Sequence, residues 1–157
     1  SVPTGQALLG RVVILWDNLL MKKVLLIKTS RFVESRAPSI IVRTSVNKQE
    51  TGLKVVDSLV PIGHGQRELI IGDTKQVKLQ LLLIYFKSKR KDTLCIYVAI
   101  GQKRSSVARI AKVLTDKVDD FTVIVAATAS DSAALQYIAP YSGCSMGEFF
   151  MNKAYGF

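Results

Sequence analysis

The sequence predicts an α/β domain in which helices flank a parallel β-sheet, with a β-rich region ahead of it. From residue 68 onward, apolar runs of strand length alternate with segments of helical period. Such alternation is typical of a parallel sheet whose ligands bind beyond the carboxyl ends of the strands. Hydrophobic residues make up 48% of the 157 residues, so one core of ordinary domain size is expected.

Short strands are predicted in the first 50 residues. The apolar stretches of this region are Val12–Ile14, Leu25–Ile27, Phe32–Glu34 and Ile40–Val42. Runs of this length suit strands better than helices, which usually need 10 or more residues. From the residues alone, this region is simply β-rich.

The next part of the chain begins the alternating pattern. Leu69–Ile71 predicts a short strand, and Lys78–Lys87 predicts a helix or a buried apolar segment. Leu94–Ile100 predicts a buried strand, because apolar and β-prone residues run through it. After this strand, the sequence predicts a helix, a strand and a second helix.

A helix is predicted over Lys103–Lys117, with its apolar residues on one face. Those residues are Val107, Ile110, Ala111 and Leu114. Phe121–Ala127 predicts another buried strand. Ser130 and Asp131 predict the N-cap of a final helix that ends at Ala139, because Pro140 follows.

The charge balance is strongly basic, with 22 Lys and Arg against 12 Asp and Glu, a net charge of +10. Residues 22–28 and 87–91 supply much of the excess. Few aromatic side chains interleave with these clusters, so we interpret them as solvated loops and predict no nucleic-acid binding. Cys95 and Cys144 are too few for a disulfide framework, and Cys95 is predicted to be a core residue. The longest apolar runs are too short or too charged to predict a membrane span.

A pattern close to a phosphate-binding loop follows Leu69–Ile71. The full pattern is a glycine, four residues, then Gly-Lys-Ser/Thr. The corresponding residues are Gly72, Asp73, Thr74, Lys75, Gln76, Val77, Lys78 and Leu79. A chance lysine at the start of an apolar helix is the alternative interpretation.

Three of these residues decide what the loop can bind. Lys78 retains the charge that neutralises the β- and γ-phosphates. Val77 replaces a glycine, which costs roughly 1 to 3 kcal/mol if the loop keeps its shape. Leu79 occupies the usual magnesium-ligand position without an oxygen, and no other metal ligand is predicted. The pattern therefore predicts a weakened nucleotide site.

Four blocks of the sequence resemble the alpha subunit of the F-type, proton-translocating ATP synthase. They cover about half of the chain in that family's order. The blocks are SVPTGQALLGRVV (Ser1–Val13), TGLKVVDSLVPIGHGQRELIIGD (Thr51–Asp73), CIYVAIGQKRSSVARI (Cys95–Ile110) and VAATASDSAALQYIAPYSGCSMGEFF (Val125–Phe150). The resemblance implies a P-loop, RecA-like sheet over residues 46–157, preceded over residues 1–45 by the end of a small β-barrel and a connection. It also implies that Ser142–Gly147 forms a loop before a helix.

Gln102 is the second candidate site residue, and it follows the predicted strand Leu94–Ile100. The related catalytic beta subunit has a glutamate where this chain resembles the alpha pattern with Gln102. An amide has no basic group that can accept a proton from the attacking water. The resemblance therefore implies a nucleotide site without catalytic residues. Capping of the helix that begins at Lys103 is the alternative role of Gln102.

The function implied by the resemblance is that of a non-catalytic, nucleotide-binding alpha subunit, present here as a fragment. Its role would be regulatory and structural within a hexameric ring that carries out proton-driven ATP synthesis. The implied ligands are ATP or ADP with Mg²⁺, and the implied partners are catalytic beta subunits and the central stalk. We expect membrane contact only through the complex, on the matrix side of the mitochondrial inner membrane.

Two alternatives to this function stay open at the level of the sequence. One is a degenerate copy that keeps the scaffold but binds no nucleotide, which Val77 and Leu79 favour. The other is an RNA-dependent hexameric translocase of the same superfamily, which the net charge of +10 suggests.

Overall fold

The computed structural model describes residues 1–14, 29–34, 48–63, 65–71, 94–117 and 122–155. The chain forms two compact units, Ser1–Ser35 with Thr93–Phe157 and Arg36–Asp92. The predicted domain boundary at residue 45 lies outside the described residues and stays a prediction. The same holds for the predicted strands Leu25–Ile27 and Ile40–Val42 and for the segment Lys78–Lys87.

The described elements are numbered in chain order. They are β1 (Val2–Thr4), a 3₁₀ helix (Gln6–Leu8), β2 (Arg11–Ile14), β3 (Thr29–Arg31), β4 (Lys48–Gln49), α1 (Lys54–Leu59), β5 (Ile62–Gly63), β6 (Cys95–Ile100), α2 (Arg104–Lys117), β7 (Thr122–Ala127) and α3 (Ala133–Tyr155). The second unit holds β4, α1 and β5, and the first unit holds the rest.

A parallel sheet in the order β2-β7-β6 forms the centre of the first unit. Every residue of β7 is buried, which fits a strand with a neighbour on each side and cover on both faces. With the helices α2 and α3 packed against β7, this sheet confirms the predicted α/β class. The strand β2 was predicted as part of the amino-terminal β-rich region, and it joins this sheet instead.

The helix α2 follows the sequence prediction closely. It spans Arg104–Lys117, one residue shorter than predicted. The four residues predicted to share its apolar face, Val107, Ile110, Ala111 and Leu114, are all at most 5% exposed. The strand predictions also hold for β6 and β7, and the Cys95 side chain is buried in the core as expected.

The helix α3 is longer than predicted and begins later. It runs from Ala133 to Tyr155 and passes through Pro140, so the predicted end at Ala139 and the predicted loop after it are wrong. An interior proline removes one backbone hydrogen bond and costs about 3 kcal/mol or more. Burial of the residues beyond Pro140, including the fully buried Met146, offsets this cost.

The apolar core of the first unit lies between α3 and the sheet. Val13 and Val98 both pair in register with Val125, so the three side chains form one row across the strands. Met146 of α3 packs in the same cluster. The strand β1 pairs antiparallel with β3 and also contacts α3, and Ser145 Oγ donates a hydrogen bond to the Phe32 carbonyl at 2.9 Å.

Two predicted strands are wrong. The strand near Phe32–Glu34 lies earlier, at Thr29–Arg31, where pairing with β1 satisfies its backbone. Leu69–Ile71 forms no strand, and its leucine is 78% exposed. An apolar run needs a pairing partner to become a strand, and the described residues give this one none.

The second unit is organised around Asp57 of α1. Its carboxylate accepts hydrogen bonds from Thr51 N at 2.9 Å, Thr51 Oγ1 at 2.7 Å and Gly52 N at 2.9 Å. Thr51 is almost fully buried, so the two bonds that it donates satisfy polar groups that water cannot reach. A two-residue pairing of β4 with β5 lies in the same unit.

Candidate functional site

The candidate site lies at the carboxyl ends of β6 and β7. Two backbone hydrogen bonds join the loops that leave these strands: Gly101 N donates to the Ala127 carbonyl at 2.9 Å, and Ala129 N donates to the Gln102 carbonyl at 3.0 Å. At the edge of the sheet where the sequence predicts ligand binding, the loops after β6 and β7 are therefore hydrogen-bonded to each other. Gly101 directly follows β6, and Thr128 directly follows β7.

Gly101 makes the turn out of β6 possible. Its φ of +64° lies in the left-handed region, which a side chain disfavours. A Cβ built on this residue would meet Gln136 Oε1 at 3.6 Å, an ordinary contact. The requirement for glycine therefore comes from the backbone conformation and only slightly from lack of space.

The side chain of Gln102 points back toward its own strand. Its Nε2 donates a hydrogen bond to Tyr97 Oη at 2.9 Å, and both residues are half-buried. The first turn of α2 instead uses Lys103, whose carbonyl accepts from Val107 N at 3.1 Å. The bond to Tyr97 argues against the alternative role of Gln102 as a helix cap.

A tight turn follows β7 and is organised by Asp131. Its Oδ2 accepts from Thr128 N at 2.5 Å and from Thr128 Oγ1 at 2.7 Å, while Asp131 N donates to the Thr128 carbonyl at 3.0 Å. These hydrogen bonds lower the pKa of the Asp131 carboxyl, and the nearby Arg104 guanidinium lowers it further. Arg104 lies 3.9 Å away, with its side chain 64% exposed, so this pair is a weak one.

The predicted N-cap role of Ser130 and Asp131 is wrong. The helix α3 begins at Ala133, and Ser132 stands before it, its carbonyl accepting from Gln136 N at 3.1 Å and its Oγ from Leu135 N at 3.4 Å. The Asp131 carboxylate instead accepts hydrogen bonds from Thr128, in the turn after β7. The Asp131 side chain therefore fixes the end of β7 and leaves the helix start to Ser132.

Gln136 connects α3 to this edge. Its Nε2 donates to the Asp131 carbonyl at 3.1 Å and to the Thr128 carbonyl at 3.4 Å. These two hydrogen bonds tie the helix to the turn that follows β7. The edge is thus held by hydrogen bonds among the loop after β6, the turn after β7 and the first turn of α3.

The structure describes only part of the predicted site. Gly72, Asp73, Thr74, Lys75, Gln76, Val77, Lys78 and Leu79 all lie outside the described residues, and Gln102 is the one predicted site residue within them. Sequence reasoning missed Tyr97 and Gln136, which contact the edge. Among the described residues, no three His, Cys, Asp or Glu side chains come together as a metal site. Within the same ranges, none of the helices has the length and hydropathy that a bilayer crossing requires.

The sequence is similar to known proteins along almost its whole length. Residues 52–156 match the model of the ATP synthase alpha/beta family, nucleotide-binding domain. The ATP synthase subunit alpha of Clostridium botulinum strain Eklund 17B is 53% identical over 98% of this chain. The protein of the same name from strain Hall is 52% identical over the same share. The chain spans 31% of the length of these relatives.

These relatives correct one prediction. The mitochondrial location is wrong, because these two similar proteins come from Clostridium, a bacterium.

Proposed function

The chain belongs to the ATP synthase alpha/beta family, and we propose that it acts there as the non-catalytic, nucleotide-binding part of an alpha subunit. Identity of 52 to 53% with alpha subunits over 98% of the chain supports the alpha type. A regulatory and structural role within the complex follows from such a site, because it holds nucleotide without turning it over.

The single observation that carries this proposal is Gln102 at the carboxyl end of β6. Its backbone carbonyl accepts from Ala129 N, and its amide nitrogen donates to Tyr97 Oη. A side chain held in this way can orient a ligand or a water molecule, but it cannot take up a proton at neutral pH. The position thus suits binding and lacks the general base that hydrolysis uses.

The residues that we propose to bind nucleotide are Gly72–Leu79 and Gln102. At the edge, the exposed Arg104 guanidinium suits a phosphate-bearing ligand. Lys78 would neutralise phosphate charge, as in other loops of this kind. These residues fit phosphate better than they fit Mg²⁺, because Leu79, at the usual magnesium-ligand position, has no oxygen. We therefore assign no step to a metal ion.

The proposed partners are the catalytic beta subunits and the central stalk of an ATP synthase. Peripheral attachment to a membrane would come through the assembled complex. The support for both is the alpha-subunit similarity of this chain.

The test is equilibrium binding of ATP to the full chain, with and without Mg²⁺, beside a Val77→Gly, Leu79→Thr variant. We expect the chain to bind about tenfold to a hundredfold more weakly than the variant, from the cost of Val77 given above. Neither protein is expected to hydrolyse ATP above background. Failure of both to bind would refute the proposal, and so would hydrolysis that depends on Gln102.

A degenerate scaffold is the second candidate function, and Val77 and Leu79 are the observations in its favour. It predicts a different outcome of the same experiment, in which the Val77→Gly, Leu79→Thr variant binds ATP and the natural chain does not. A single-stranded RNA of about 20 nucleotides serves as a control ligand, and salt-resistant binding to it would contradict both candidates.

A further inference from the structure

We infer that Tyr97 is a positioning residue of the candidate site, which acts by holding the Gln102 amide in one orientation. The inference rests on the proposed function where it concerns nucleotide, and on geometry where it concerns the amide. Tyr97 and Gln102 come from the same strand and the loop that leaves it, and their side chains meet at 2.9 Å. Through this contact, Tyr97 determines which group of the amide faces a ligand.

The backbone of Gln102 is already fixed, so the tyrosine acts on the side chain alone. Gly101 N bonds the Ala127 carbonyl at 2.9 Å, and the Gln102 carbonyl accepts from Ala129 N at 3.0 Å. These two bonds hold the loop to the end of β7 on either side of the Gln102 α-carbon. The side-chain torsions of a glutamine remain free in such a loop, and the terminal torsion, χ3, has a broad distribution of angles. A hydrogen bond from the amide to Tyr97 restricts all of them together.

The bond also selects what the amide presents. A glutamine amide carries a donor group, Nε2, and an acceptor, Oε1, on the same carbon. Because Nε2 donates to Tyr97 Oη, the direction of Oε1 is fixed as well. An acceptor does not suit a phosphate oxygen, which is itself an acceptor, but it suits a water molecule bound at a terminal phosphate. The ligand class that this arrangement favours is a nucleoside triphosphate with such a water over a diphosphate.

Tyr97 itself is supported by the fold. It pairs in register with Ile124 of the central strand, so its backbone belongs to the sheet. The tyrosine ring is half-buried, and its hydroxyl reaches the carboxyl end of the strand, where Gln102 lies. A group attached to a rigid strand holds its partner more precisely than a group on a loop does.

The direct test is the mobility of the Gln102 side-chain amide in the full chain without nucleotide. A Tyr97→Phe variant keeps the ring and removes the oxygen, and Tyr137→Phe is the matched control, because Tyr137 lies on α3 and is 65% exposed. We expect ¹⁵N relaxation to show a more mobile Gln102 amide in Tyr97→Phe and an unchanged one in Tyr137→Phe. An amide equally ordered in all three proteins overturns the inference.

A second readout tests the effect on ligand preference. We expect Tyr97→Phe to reduce the ratio of ATP to ADP affinity about 2- to 10-fold, the value of one hydrogen bond. In a Gln102→Ala background the same substitution is expected to change nothing, because its target is gone. A merely structural tyrosine would weaken ATP and ADP binding equally and in both backgrounds, which overturns the inference. If no nucleotide binds, the proposed function fails, and the amide measurement still decides the role of Tyr97.

Discussion

Replacing Gly143 by alanine is expected to destabilise the first unit, although alanine is the better helix former. Gly143 lies inside α3, where it faces the sheet. An added Cβ would stand 2.7 Å from Val98 Cγ2, 3.5 Å from Ile96 Cγ2 and 4.0 Å from Val125 Cγ2. The first distance is about 1 Å shorter than the ordinary separation of two carbon atoms. Either α3 or β6 must move to admit the methyl group.

The magnitude follows from two opposing effects. Alanine gains about 1 kcal/mol over glycine in a helix interior. Overpacking of a well-filled core costs about 1 to 3 kcal/mol. Because the closest contact joins a Cβ fixed to the helix backbone and a methyl fixed to a strand, we expect a cost near the upper end. The net loss in the free energy of unfolding is then about 1 to 2 kcal/mol.

The assay is urea unfolding of the full chain, followed by far-UV circular dichroism. Gly147→Ala is the matched control, since its Cβ would meet only Ile96 Cδ1, at 3.2 Å, the mobile end of a long side chain. We expect the control to be neutral or slightly stabilising. A Val98→Ala substitution removes the clashing methyl, so adding Gly143→Ala in that background should cost less than in the natural chain. Equal midpoints for Gly143→Ala and Gly147→Ala would refute the reasoning.

Three further substitutions test other parts of the structure. Asp131→Asn should lower the free energy of unfolding by about 1 kcal/mol at pH 7. Because the folded pKa of this carboxyl lies below its ordinary value of 3.8, the difference between the two proteins should persist above pH 3.8 and vanish as the pH falls through the folded pKa. Urea titrations at pH 7, 5 and 3 measure this pH dependence. Asp57→Ala leaves the buried Thr51 hydroxyl without this partner and should cost about 1 to 3 kcal/mol; faster hydrogen exchange at the Thr51 amide is the readout, and unchanged exchange would contradict it. Gly101→Ala should cost about 1 to 2 kcal/mol from its φ of +64°, whereas a midpoint in urea equal to that of the natural chain would show that the turn tolerates a side chain.

Much of the fold was predictable because local patterns and tertiary packing agree in it. The four apolar residues from Val107 to Leu114 follow the helical period, and all are buried. The continuous apolar run of β7 predicts a strand covered on both faces, which it is. Where packing overrides local preference, the prediction failed. Pro140 signals a helix end, yet burial of Met146 and its neighbours carries α3 onward.

The candidate site was less predictable, because its contacts join residues whose types have other common roles. An aspartate ahead of a helix usually caps it, but Asp131 turns back to Thr128. A tyrosine in an apolar strand usually serves the core, and nothing in the spacing from Tyr97 to Gln102 indicates a hydrogen bond. The location of the candidate site after Ile100 was predictable, since ligands of a parallel sheet bind beyond the carboxyl ends of its strands.

The position of β2 in the sheet has a consequence for how the chain is made. Val12 pairs with Ile124, about 110 positions later in the sequence. A ribosome adds about 5 to 20 residues per second, so β2 waits about 5 to 20 seconds before its partner strand is synthesised. Throughout that interval its backbone groups on the β7 side have no native partner, and an unpaired strand edge can pair with other chains. In contrast, β6 and β7 are separated by one helix and can meet soon after both emerge. The sheet is therefore expected to form around β6, α2 and β7, with β2 added last, and chaperone binding during synthesis should concentrate on β2.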